Sequence, residues 1–183
     1  MLFGAHCGGS ERQEEKESAM GMGKQLIEHM RALVAEGTDT QDIEIMIGPL
    51  RVKMGDLDRY SATLEGLALD SAVRPSPDAR AYLSARAAAL TQGLSFLEEP
   101  LAVWELDAGE GYAQLRSNPP QRDGETITYW EVALSCAEQP SLRVARYQWR
   151  PDMLEREVLP YPATFSMMGR MANALVAAMQ EEQ

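Results

Sequence analysis

Glu105, Glu131, Arg116 and Arg143 are the residues of this chain whose types and spacing offer chemistry, because each lies in a run where apolar and polar residues alternate. Alternation of period two puts every second side chain on one face of a strand. From Leu101 to Trp149 it collects Glu105 and Glu131, Arg116 and Arg143, and the rings of Tyr112, Tyr129, Tyr147 and Trp149. Carboxylates paired in an apolar setting split their pKa values and work as acid and base. Glutamate and arginine opposed across strands also serve as ordinary sheet stabilisation, and that is the first expectation here. The candidate binding set is Tyr112, Arg116, Tyr129, Glu131, Arg143, Tyr147 and Trp149, with no residue assigned a catalytic role. The segment Arg116 to Pro120 reads as a rigid exposed turn, since Pro119 and Pro120 enforce extended backbone, and it places Arg116 and Asn118 where an anionic group can reach them.

Other chemistry finds little footing. A serine or cysteine nucleophile needs a neighbouring base, and the two histidines are His6, in a polar N-terminal stretch, and His29, offset from the apolar stripe of the first helix. Cys136 sits at a strand end as a small buried hydrophobe rather than a nucleophile. Cys7 and Cys136 are too far apart for a redox or zinc pair, and His6 beside Cys7 is no coordination shell. Gly8 and Gly9, or Gly109 and Gly111, lack the strand and helix that frame a phosphate cradle. No metal and no cofactor is expected.

The formal charge of −11, from 17 basic and 28 acidic residues, opposes the counterion release on which nucleic-acid affinity depends. Nucleic acid and anionic membrane surfaces are therefore excluded as partners, and a basic protein is electrostatically welcome. No run approaches a membrane span and no secretory leader is legible at the N-terminus, so a reducing, cytoplasmic setting is expected. Residues 1–19 read as a flexible tail, with Met20 or Met22 as alternative starts, and residues 20–183 as one domain.

The elements that must position these residues follow from their periodicity. Leu26, Met30, Leu33 and Val34 predict a helix over 22–36, stopped by Gly37. Ile43, Ile45, Ile47 and Leu50, Val52, Met54 predict a hairpin about Gly48 and Pro49, with a second helix after Gly37 as the competing reading. Leu57, Tyr60, Leu64 and Leu67 suggest a helix capped by Asp56, and Tyr82, Leu83, Ala87, Leu90 and Leu94 another, capped by Ser76 and reaching Leu97. Two hairpins follow, one opposing Trp104 with Leu115, the other opposing Leu134 with Leu142 and Tyr129 with Tyr147. A short edge strand is expected over 155–159. Thr164 then caps a last helix whose apolar face is Phe165, Met168, Met171, Ala172, Leu175 and Met179.

The fold class is thus α+β: an antiparallel sheet of four or more strands, mainly from residues 101–150, packed against four helices, the last of them amphipathic. Both faces of the second hairpin are too apolar for water, so the tyrosine and tryptophan side demands a cover. The first helix with the early hairpin is the expected cover, and a second copy or a ligand is the alternative. The functional expectation is a non-catalytic, protein-binding or homodimeric module of the chaperone, adaptor or inhibitor kind, which meets its partner through that face and the Met-rich helix. The alternative is a small-molecule site or enzyme built on the Glu and Arg cluster.

Overall fold

The computed structural model describes residues 21–37, 41–71, 77–137 and 139–180; the expected tail, Cys7 and Ser76 lie outside them. The chain runs through a helix and a meander, then a second helix and a longer meander, and closes with a third helix. The first half is α1 (Met22–Glu36), β1 (Ile43–Ile47), β2 (Leu50–Gly55) and β3 (Ser61–Asp70). The second is α2 (Ala79–Gly93), β4 (Leu101–Asp107), β5 (Tyr112–Ser117), β6 (Gln121–Asp123), β7 (Thr126–Ser135) and β8 (Ser141–Trp149). Two short strands, β9 (Glu157–Val158) and β10 (Tyr161–Thr164), lead into α3 (Phe165–Met179).

All ten strands form one antiparallel sheet of order β1-β2-β3-β8-β7-β5-β4, with β10 on β3, β6 on β7 and β9 on β8. The α+β class therefore holds, but the sheet extends well beyond residues 101–150, and the described residues contain three helices rather than four. Ile43–Met54 is the expected hairpin, with Ile45 opposite Val52 and Gly48 and Pro49 at its turn.

The helix expected from Leu57 to Leu67 is a strand, β3. Its buried residues alternate as Ala62 and Leu64, then Leu67 and Leu69, and the step of three between Leu64 and Leu67 imitated a helical repeat. That step is a β-bulge: Lys53 of β2 pairs with Gly66 and Met54 with Leu64, which leaves Glu65 as the extra residue. Asp56 caps no helix; it turns the chain at φ 47° and accepts a hydrogen bond from the Thr63 hydroxyl. Helix α2 is capped by Asp78, whose side chain accepts from the Ala81 amide, and it ends at Gly93, short of Leu97. The segment after Pro160 supplies β10, where Pro162 is tolerated because the strand is short and peripheral.

The three helices cover one face of the sheet. Their buried residues form a single cluster with Ile45, Val52, Leu67, Val144, Val132 and Leu115, all of one strand parity. Helix α3 packs against both α1 and α2, and its whole expected stripe from Phe165 to Met179 is buried, so the methionines fill core rather than a groove. Among the described residues no helix is long and apolar enough to cross a membrane.

That helix-covered face also carries a charge. The Arg146 side chain, 3% exposed, donates to Glu99 at 3.0 and 3.2 Å, to Gln121 at 2.8 Å and to Thr128 at 3.2 Å. Its guanidinium lies 5.6 Å from the Trp130 ring and 5.3 Å from the Tyr161 ring. One side chain thus ties β8 to the linker before β4, to β6 and to β7, and its hydrogen bonds repay much of its desolvation.

Close approach of α1 to α3 depends on two glycines. A Cβ on Gly23 would collide with the Gly169 carbonyl oxygen, and one on Gly169 would lie 2.8 Å from Ile27 Cδ1. Helix α1 has no side-chain cap of its own; Asn173 Oδ1 of α3 accepts from the Gly23 amide at 2.8 Å instead. Gly23→Ala should therefore push the helices apart and cost about 3 kcal/mol or more, a fall of roughly 6–12 °C in melting temperature. Asn173→Ala, which removes only the hydrogen bond, should cost about 1 kcal/mol by the same thermal melt.

Candidate functional site

The opposite face of the sheet is where the candidate residues gather. In β7 the parity of Ile127, Tyr129 and Glu131 points away from the helices, because Trp130, Val132 and Leu134 are buried beneath them. The register of β7 with β8 is the expected one, with Leu134 opposite Leu142, Tyr129 opposite Tyr147 and Ile127 opposite Trp149. That of β4 with β5 is not. Val103, not Trp104, opposes Leu115, and a bulge at Trp104 shifts Glu105 to a place opposite Gln114. The bulge brings the Trp104 ring, 68% exposed, to 5.2 Å from the Arg116 guanidinium.

Glu131 is the centre of this face, its side chain only 3% exposed. Directly across the ladder, Arg116 of β5 donates through Nε to Glu131 Oε2 at 3.0 Å. On the other side the opposed residue is Ala145, too short to fill the space, and Arg156, just ahead of β9, reaches in to Glu131 Oε1 at 2.5 Å. Gln114, of the same strand and parity as Arg116, donates to the Tyr112 hydroxyl at 3.0 Å. The rings complete the arrangement. Tyr129 and Tyr147 stack at 6.1 Å, Arg116 lies 5.1 Å from Tyr129, and Arg156 lies 4.5 Å from Tyr147.

Burial pushes the Glu131 carboxyl above the usual carboxylate range, and Arg156, Arg116 and Gln114 pull it back only in part. The Tyr112 phenol is raised too, by burial first and then by the charge of Glu131. For Arg156 burial works against the charge, but Glu131, Tyr129 and Tyr147 outweigh it and its pKa rises. Cys136 is buried at its strand end with its thiol pushed up by burial, which suits an inert hydrophobe.

Tyr112, Arg116, Tyr129, Glu131, Tyr147 and Trp149 are thus brought to one face; Arg143 is exposed on the same face but pairs across the ladder with Ala133 and Ala68, away from Glu131. Glu105 is exposed on the edge strand, so the two carboxylates do not form a pair. Arg156 and Gln114 were missed. Gln114 shares the parity of Tyr112 and Arg116, which was its available signal, and Arg156 lies inside the expected edge strand over 155–159, which the structure pairs with β8 as β9. His29 is exposed on α1. Among the described residues no group of three or more His, Cys, Asp or Glu side chains is placed to hold a metal.

The expected cover is absent from this face, since α1 packs on the other one and the β1–β2 hairpin extends the sheet beside β3. The returning segment sets Arg156 over the Tyr147 ring and Val158 opposite it in β9. Beside it opens a cleft of about 440 Å³ between Trp104, Arg116, Arg122, Trp149, Leu154 and Arg156. Comparison with protein-family models, with curated proteins and with solved structures yields no match.

The raised Glu131 pKa fixes the sign of a pH effect. The contribution of this group to stability is fully present below the ordinary glutamate pKa of about 4.3 and is lost as pH rises through the higher value in the folded chain. Glu131→Gln does not titrate, so wild type should lose stability relative to this variant between mildly acidic and neutral pH. Paired urea melts across that window measure the difference; a gap that stays flat, or widens in favour of wild type, would show that the arginines dominate burial.

Proposed function

We propose that this chain is a non-catalytic, cytoplasmic binding module and that the arginine and aromatic face of the sheet is where it meets a protein partner. The single observation that carries the reading is a buried Glu131 holding Arg116 and Arg156 beneath exposed aromatic side chains, on the face that no helix covers. A buried carboxylate whose pKa is raised despite two arginines is carried at a cost to stability, and such costs are characteristic of working surfaces. Exposed tryptophans beside arginines are the residue types that dominate protein contacts.

Catalysis has less support. Both oxygens of Glu131 accept from guanidinium groups, and Glu105 stands apart on the edge strand, so the acid and base pair is missing. The raised Glu131 pKa is what favours the alternative, a small-molecule site using the same cluster. The Met-rich helix plays no part in recognition, because its apolar stripe is core.

The test compares wild type with Trp104→Ala and Trp149→Ala in affinity purification, with light-scattering mass measured on each. Both side chains are exposed, so the variants should melt as wild type does. A partner, or a second copy, should be retained by wild type and released by the variants, each weakened by about 2 kcal/mol, roughly 30-fold. Equal retention by all three proteins, or a contact that maps to the helix layer, would refute the assignment.

A further inference from the structure

We infer that the segment recognised by the cleft is a short, extended, acidic stretch of the partner chain in which carboxylates alternate with large apolar or aromatic side chains. This deepens the reading of the face as a binding surface and rests on it. The first ground is local charge. In a chain of net charge −11 the cleft carries Arg116, Arg122 and Arg156 against Glu155, and Glu131 beneath them is already held between two of these arginines. A basic segment would be repelled at contact and an acidic one attracted, which reverses the expectation drawn from overall charge.

The second ground is unspent hydrogen bonding. Arg116 meets Glu131 through Nε, so its terminal amino groups are left for a ligand, and Arg122 is exposed on β6 opposite Ile127, on the same parity. Arginine presents a planar fork that matches a carboxylate. The third is apolar lining: Trp104, 68% exposed, Trp149, 36% exposed, and the fully exposed Leu154 stand around the cations. Side chains that bury such surface are aromatic or large aliphatic.

Length selects a peptide over a small molecule. Trp104 is on β4, Arg116 on β5, Tyr129 on β7 and Trp149 on β8, which are consecutive neighbours in the sheet. Three inter-strand gaps of about 4.8 Å make a groove about 14 Å across, the length of about four extended residues. Side chains of alternate residues in such a segment project to the same side, so carboxylates and apolar groups separate naturally.

The probe is a capped, fluorescein-labelled peptide Glu-Trp-Glu-Leu-Glu, titrated with the full chain by fluorescence polarisation at low and at physiological ionic strength. Its controls are Lys-Trp-Lys-Leu-Lys and Glu-Ala-Glu-Ala-Glu. The acidic apolar peptide should bind, weakening as salt rises, and each control should bind at least about tenfold more weakly. Arg122→Gln, an exposed site, should weaken it severalfold without altering the melt, and Arg116→Gln more strongly. Glu131→Gln should strengthen it, because a competing internal carboxylate is removed. Preference for the lysine peptide, lost in Trp149→Ala, would overturn the acidic assignment while leaving the surface in place. Binding indifferent to Trp149→Ala and Arg122→Gln would remove the surface as well. Displacement of the peptide by phenylacetate at equal concentration would make the occupant a small aromatic acid, and no binding at millimolar concentration would also overturn the proposal.

Discussion

A sheet of ten strands with all its helices on one side must solve the same problem twice, since every strand has a second face that no helix covers. On the helix side the answer is apolar burial, from Ile45 and Val52 through Val144 and Val132 to Leu115. On the other side it changes across the sheet. Over β2 and β3 it is exposed ion pairs, Arg51 with Asp70 and Lys53 with Glu65. Near the middle it is short side chains, Ala68, Ala145 and Ala133, that leave little apolar surface to hide. Over β5, β7 and β8 it is arginine laid on tyrosine and tryptophan, which buries ring faces under a group that still bonds to water. A hollow of similar volume lies over β2 and β3, where Arg51 and Lys53 face Glu44 and Glu65, but only the cleft at β5, β7 and β8 joins tryptophan walls to a surplus of arginine, and that is why the candidate site lies there.

The two arginine clusters make an instructive contrast. Arg146 is surrounded: Glu99, Gln121 and Thr128 accept its hydrogen bonds, Trp130 and Tyr161 lie against it, and almost none of it meets solvent. Such a group holds loops to a sheet and has nothing left to offer. Arg116 and Arg156 lie between Glu131 and solvent, partly exposed, with the acid already neutralised by their combined charge. The same residue types therefore perform a structural task on one face and leave a surplus on the other. The difference lies in how many donors the fold itself consumes.

Parity was the legible part of this sequence. Alternation from Thr126 to Trp149 specified which residues share a face, and it fixed the register of β7 against β8 residue for residue. It failed where a bulge breaks the period. At β3 the extra Glu65 turned two alternating runs into an apparent helix, and at β4 a bulge moved Trp104 across the sheet. A bulge leaves no reliable mark on composition, because its cost is absorbed by twist. Arg146 was legible and overlooked: it shares parity with Leu142 and Val144, and an arginine on a core face announces a buried partner. Arg156 was harder, because its place depends on a chain that leaves β8, turns and returns as β9. Which face the helices would choose was hardest of all, since both faces of β7 and β8 are apolar enough to accept them.

Overall charge and local charge act over different distances. At physiological salt the screening length is about 8 Å, so a surface of mostly acidic residues repels an acidic body only weakly from afar, while groups brought into a cleft feel the nearest charges at nearly full strength. Arg116 and Arg156 are held by stacking and by Glu131, so little ordering of these two remains when a ligand arrives. A partner that is acidic throughout would meet unfavourable charge around the rim, whereas one that presents a short acidic segment from a neutral or basic body would not. If the cleft takes such a segment, the acidic surface and the basic cleft together would select for the second kind, by penalising the first as well as by attracting the segment itself.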